Sequence, residues 1–137
     1  MIINGEEVKQ KLLQGIDLVA NTVKPTLGPQ AKTVILQGNP PVVINDGVTI
    51  TKYISHEDAY VQMGIQLVQN LASKAQEGSG DGTTTACILA QAICHRIMDS
   101  LGEMSVQEFN KRMEEAKEQI IHFLEQASYP VNDSGIL

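Results

Sequence analysis

Apolar positions recur along this chain mostly with the spacing of helices, interrupted once by short β-branched runs. Over residues 5–23, Val8, Leu12, Ile16, Val19, Ala20 and Val23 fall on one face, the pattern of an amphipathic helix. Glu6 and Glu7 suit its positive first turn. Pro25 ends it, because the residue before a proline is pushed out of the α region. Residues 32–37 (KTVILQ) are short and β-branched and predict a strand, and residues 42–44 (VVI) predict a second. The Gly-Asn-Pro-Pro turn between them allows a hairpin. Residues 48–54 (VTITKYI) alternate as a strand would, yet are short enough to be a helical turn or two after Asp46-Gly47. Periodicity leaves both open.

Three longer helical patterns follow. In residues 57–77, Val61, Ile65, Val68, Ala72 and Ala75 form a stripe that Met63, Leu67 and Leu71 widen. Gly64 lies in its middle, where glycine costs about 1 kcal/mol against alanine; it marks close contact with another backbone. Residues 83–101 are apolar nearly all round, from Ala86 through Leu89 and Ile93 to Met98, which predicts a helix in the middle of a domain. Gly102 closes it. Ser105-Val106-Gln107-Glu108 reads as a capping box. It opens a last amphipathic helix to about residue 127, with Val106, Phe109, Met113, Ala116, Ile120, Phe123, Leu124 and Ala127 on its apolar side. Pro130 breaks that pattern, and the tail ends on two apolar residues with nothing to pack against. The expected fold class is mainly α with a small β-hairpin.

Composition narrows the picture. At 137 residues, one small domain with a modest core is expected. Apolar residues make up 42 % but aromatics only 4 %, so the core must be aliphatic. A formal net charge of −6 disfavours a nucleic-acid partner. No apolar run approaches membrane-spanning length and the N-terminus has no signal-peptide pattern, so a soluble cytoplasmic protein without a membrane partner is expected. Cys87 and Cys94 share a helix face about 10 Å apart, too far for a disulfide, and read as small core residues. His56, His95 and His122 show no metal-ligand spacing.

The chemistry concentrates at Gly78-Ser79-Gly80-Asp81-Gly82-Thr83-Thr84-Thr85. Glycines permit tight turns and close approach of a ligand to the main chain. The helix that follows begins with unpaired N–H groups at a positive dipole end, a ready site for phosphate. Threonine hydroxyls add donors, and Asp81 can hold a hard cation such as Mg²⁺. By spacing alone, a nucleotide loop and a plain glycine turn with a capping Asp stand level. Pro25-Thr26-Leu27-Gly28-Pro29 is a stiff loop, either a structural turn or a main-chain wall beside a ligand. Asp46 is a second carboxylate next to a glycine at the edge of an element, which an ordinary Asp-Gly turn also explains.

Taken together, TLGP at 26–29, NDGVTI at 45–50, ASKA around Lys74-Ala75 and GDGTTTACILAQAI at 80–93 resemble the chaperonins, the Hsp60 or GroEL-like proteins, in order and spacing over nearly the whole chain. The resemblance implies the N-terminal part of an equatorial ATP-binding domain over 1–127, with 128–137 beginning the connection to an intermediate domain. It implies ATP or ADP with Mg²⁺ as cofactors. Thr26, Leu27, Gly28 and Pro29 then lie against the nucleotide and Asp81 is the Mg²⁺ ligand. Gly80 and Gly47 belong to the binding loops, and Gly82, Thr83, Thr84 and Thr85 bind phosphate. Asp46 lies near the γ-phosphate and positions or activates the attacking water. Residues 48–54 are then a short helix. Hydrolysis in the family drives domain movements in a double ring that encloses unfolded client proteins, by positioning and charge neutralisation.

Three departures bear on this. The family's TLGP is usually followed by Lys-Gly, and here by Gln30-Ala31. Bacterial-type members usually carry Lys before the Asp-Gly, where this chain has Asn45; GVTITK and ILAQAI nevertheless lean to the bacterial type. The apical domain, the returning half of the equatorial domain and the family's main catalytic carboxylate would all lie beyond Leu137. The chain alone is thus expected to bind nucleotide weakly, to turn it over slowly or not at all, and to enclose no client. It is expected to self-associate or swap helices through apolar surface. The alternative is a non-enzymatic assembly module with no useful nucleotide binding. An unrelated phosphotransferase is disfavoured because no GxxxxGK[ST] motif is present.

Overall fold

The computed structural model describes residues 5–38, 40–100 and 105–129. It is mainly helical with one two-stranded sheet: α1 (Gly5–Val23), β1 (Val34–Leu36), β2 (Val42–Ile44), α2 (Gly47–Lys52), α3 (Ala59–Ser79), α4 (Thr83–Ser100) and α5 (Val106–Ala127). The chain divides into two compact units, Met1–Met98 and Asp99–Leu137. The stop at Gly102, the break at Pro130 and the tail 131–137 lie outside the described residues.

In the first unit, α1 packs along α3. Its stripe buries Ile16, Val19, Ala20 and Val23 against Val61, Ile65, Val68 and Ala72. The two helices touch backbone to backbone. A Cβ built at Gly15 would sit 2.1 Å from the Val61 carbonyl oxygen, and one at Gly64 would sit 2.2 Å from that of Leu12. The close contact expected of Gly64 is therefore with α1. Asp58 caps α3, accepting from the N–H groups of Tyr60 at 2.9 Å and Val61 at 3.2 Å, and it also pairs with Lys11 of α1 at 2.5 Å.

Pro25 does not stop the turning chain abruptly. A single 3-10 turn, Lys24–Thr26, carries α1 into the loop that follows. The hairpin is antiparallel, with Val34 opposite Ile44, Ile35 opposite Val43 and Leu36 opposite Val42. Val34, Leu36 and Ile44 lean on the core, while Ile35 and Val43 face out.

Residues 47–52 resolve to a helix, not a strand. A side chain three residues before a free N–H is a capping arrangement, and Asp46 supplies it for Thr49. Helical spacing then sends Ile50, Thr51 and Ile54 inward together, which alternation would not. Gln69 of α3 donates to the carbonyls of Thr51 at 2.7 Å and Ile54 at 3.1 Å, satisfying the end of α2.

The expected central position of α4 is not met within the first unit, where α1 and α3 hold the centre. Among the described residues of α4, Thr83 and Cys87 are buried, whereas Leu89 and Ile93 are about half exposed. Cys87 is a core residue and burial pushes its thiol up to about 11; Cys94 is half-buried against the same core. On its polar side, Gln91 donates to Asp17 of α1 at 2.6 Å, and His95 meets the same carboxylate oxygen at 2.8 Å. The second unit holds α5, capped by Ser105, which accepts from the Glu108 N–H at 3.2 Å. The Glu108 carboxylate accepts from Arg112 at 2.6 Å.

Candidate functional site

Three loops converge on one polar cleft of about 320 Å³, at the small end of ligand sites. Its lining is Thr26, Leu27 and Gly28 after α1, then Asn45, Asp46 and Gly47 before α2, and Gly80 through Thr85 between α3 and α4, with Gln76 from the last turn of α3. Each of the site residues read from the sequence is there except Pro29, which stands next to the cleft in sequence but does not line it.

The glycine loop is shaped by two left-handed residues. Gly80, at φ 72°, terminates α3, and its N–H closes on the Gln76 carbonyl at 2.8 Å. Gly82, at φ 80°, starts α4. Side chains at such φ are strained, which is why glycine stands at both positions. The first helical bond of α4 runs from the Ala86 N–H to the Gly82 carbonyl at 2.8 Å. The N–H groups of Thr83, Thr84 and Thr85 therefore precede the helical ladder, at the positive end of the dipole. Glycine at the cap position brings no side chain to compete for them.

The two carboxylates differ in their ties. Asp81 is exposed, and its Oδ1 accepts from the Gly82 N–H at 2.6 Å while its carbonyl accepts from Ser79 Oγ at 2.7 Å. Its side chain is thereby turned toward the start of α4. Asp46 takes two bonds from one residue on one oxygen: Oδ2 accepts from the Thr49 N–H at 2.9 Å and from the Thr49 hydroxyl. The hydroxyl bond is the main cause that holds the Asp46 carboxyl below its ordinary value; main-chain N–H groups and Lys52 act in the same direction against partial desolvation.

Close packing fixes the loops against each other. A Cβ at Gly47 would fall 2.5 Å from Thr84 Oγ1, so any side chain there would force that hydroxyl to move. Thr26 Oγ1 lies 3.2 Å from Thr84 Oγ1. Thr83 is buried, with its hydroxyl 3.4 Å from Gln76 Oε1.

Gln76 and Asn45 are lining residues that the motif reading did not place in the site. Gln76 had a signal: it lies one turn before the glycine that ends α3. Asn45 directly precedes Asp46. Thr49, which holds Asp46, was visible as a hydroxyl three residues after a capping Asp. Among the cleft residues the only charged side chains are Asp46 and Asp81. An anionic ligand therefore meets two carboxylates and no basic side chain, so the positive start of α4, or a cation brought with the ligand, has to offset their charge. The main-chain N–H groups, the hydroxyls and the Asp81 oxygens fit a phosphate chain that carries a divalent cation. Among the described residues no cluster of three or more metal-ligating side chains occurs. No described helix is long and apolar enough to cross a membrane.

The sequence pattern of the TCP-1/cpn60 chaperonin family matches residues 19–136. The chain is similar to the chaperonin GroEL of Onion yellows phytoplasma (strain OY-M), 48 % identical over 102 residues, which is 73 % of this chain and 19 % of that protein. It is 50 % identical over 94 residues to the chaperonin GroEL of Acholeplasma laidlawii (strain PG-8A), covering 67 % of this chain and 18 % of that one. The fold superposes with a TM-score of 0.80 on the chaperonin gp146 of bacteriophage EL, crystallised in the presence of ATP-BeFx. That match is 26 % identical and covers 94 % of this chain and 23 % of gp146. The chain spans about a fifth of the length of the curated relatives it matches.

Proposed function

The chain belongs to the TCP-1/cpn60 chaperonin family, and from that premise we propose that it is the N-terminal part of an equatorial domain, residues 1–127, leading into a connecting segment at 128–137, whose cleft binds ATP or ADP with Mg²⁺. The observation that carries this reading is the convergence of three sequence motifs, far apart in the chain, on one polar cleft.

In this reading the N–H groups of Thr83, Thr84 and Thr85 at the start of α4, with an open hydroxyl of that turn, hold phosphate oxygens. The loop of Thr26, Leu27, Gly28 and Pro29 forms a main-chain wall, and Gly47 and Gly80 let the backbone approach. Asp81 would hold Mg²⁺, which when bound neutralises phosphate charge as phosphoryl transfer requires. Asp46, kept ionised and aimed by Thr49, would help position or activate the attacking water. The full assembly would be a cytoplasmic ring of copies that acts on unfolded client proteins, with the chain alone hydrolysing ATP slowly or not at all. A second reading, an assembly module without useful nucleotide binding, draws support from the apolar side chains left open on α4, Leu89 and Ile93.

Titration with ATP by calorimetry, beside light scattering, separates the two. The nucleotide reading expects binding with Mg²⁺ present, none in excess EDTA, and loss of at least about tenfold in affinity in Asp81→Ala, since a charge-assisted contact is worth roughly 1.5–3 kcal/mol. Absence of binding together with an oligomeric mass would establish the assembly reading.

A further inference from the structure

Thr84 stands where the three loops meet, and its hydroxyl proton can be placed by elimination. A hydroxyl donates one hydrogen and accepts through two lone pairs. Thr26 Oγ1 lies 2.7 Å from the Val23 carbonyl oxygen, to which it can only donate. Its single proton is therefore committed to the end of α1. In the 3.2 Å contact between Thr26 and Thr84 the donor is then Thr84. A chain of two hydrogen bonds runs from the first turn of α4 through Thr26 to the last turn of α1, its longer step joining residues 58 apart in sequence.

Gly47 also lies against the same oxygen. Any side chain there would begin 2.5 Å from Thr84 Oγ1 and displace it. Thr84 is half-buried, unlike the exposed Thr85 beside it. The two neighbours thus differ: the Thr84 hydroxyl lies against Thr26 and Gly47 and has its proton in use, while Thr85 is an exposed lining residue of the cleft.

We propose that Thr84 is a positioning residue, whose hydroxyl latches the Thr26–Gly28 loop and the Asn45–Gly47 turn to the start of α4. Its effect on nucleotide affinity rests on the nucleotide reading; the latch itself does not. Thr84 keeps its main-chain N–H for a ligand, while its side chain shapes the cleft. Thr84→Val retains the shape and β-branching of the side chain and removes only the proton and lone pairs, so the helix start is preserved.

The test pairs hydrogen–deuterium exchange of the free chain with Mg-ADP titration. In Thr84→Val, exchange should quicken in peptides covering residues 26–28 and 45–47, well away from the substitution in sequence. Thr84→Ser, which restores the hydroxyl, should return it to the wild-type rate. Thr26→Val should quicken exchange of the Ala86 N–H, which bonds back to the Gly82 carbonyl at the start of α4, and the double variant should be no faster than either single one. Mg-ADP affinity should fall about tenfold in Thr84→Val, a lost hydrogen bond amplified by misaligned loops, and be regained in Thr84→Ser. Thr85→Val should leave exchange at 26–28 and 45–47 unchanged. Unchanged exchange in both loops of Thr84→Val, or additive effects of the Thr26 and Thr84 changes, would overturn the latch. A wild-type chain that shows the exchange pattern but binds no Mg-ADP would overturn the nucleotide reading and leave the latch standing.

Discussion

Asp46 does two jobs that a substitution can separate. It caps α2 through Thr49, and its charge faces a cleft with no basic side chain. Because its folded pKa is depressed, the stability it contributes is complete above the ordinary carboxylate value of about 4. That stability is lost as the pH falls through the lower folded value. Asparagine caps a helix as well as aspartate but does not titrate. Asp46→Asn is therefore expected to match the wild type in urea unfolding at neutral pH and to lose less stability on acidification below about pH 4. The difference should stay under about 1 kcal/mol, since the carboxylate is exposed. Equal acid losses in the two proteins would show that Thr49 does not hold the charge.

At the scale of elements, the crossing of α1 and α3 decides the framework. Replacing a mid-helix glycine by alanine ordinarily gains about 1 kcal/mol of helix propensity. At Gly64 the added methyl would enter the Leu12 carbonyl, with backbone and not a movable side chain in its way. The sign therefore reverses, and Gly64→Ala should destabilise by about 1–3 kcal/mol, as overpacking does, read as a lower urea midpoint with the slope unchanged. A stabilised Gly64→Ala would mean that the two backbones do not meet there. The same crossing carries the site: α1 ends at the Thr26 loop, α3 ends at Gly80, and α2 sits across both with Asp46 at its start.

For the first unit as a whole, the outward side chains matter most. Leu89 and Ile93 on α4, with Met63 and Leu67 on α3, leave large apolar surfaces about half exposed. Burying one such side chain yields about 1.5–3 kcal/mol, so contacts between copies are favoured as concentration rises. The mass by light scattering should increase with concentration for the wild type. It should fall toward that of a 14.9 kDa chain in Leu89→Glu/Ile93→Glu, because a carboxylate is costly to bury unpaired. A wild type that remains a monomer at high concentration would refute self-association.

Much of this protein was legible in the chain itself, because the signals are carried by near neighbours in sequence. The face of Ile16, Val19 and Val23, the cap at Ser105 and the β-branched pair of strands each need only a few residues to be read. The same holds for Gly80-Asp81-Gly82 ahead of three threonines, and these motifs by themselves point to the family. Tertiary structure decided what depends on docking. Residues 47–52 became a helix because Asp46 caps it and Ile50 and Ile54 face the core. α4 took an edge within the first unit, since an all-round apolar sequence states how much surface it would bury but not which partners are present. Gln76 and Asn45 entered the cleft, and Thr84 found Thr26 and Gly47, through contacts between loops distant in sequence. Such contacts depend on how α1, α3 and α4 are placed against each other, which no local pattern records.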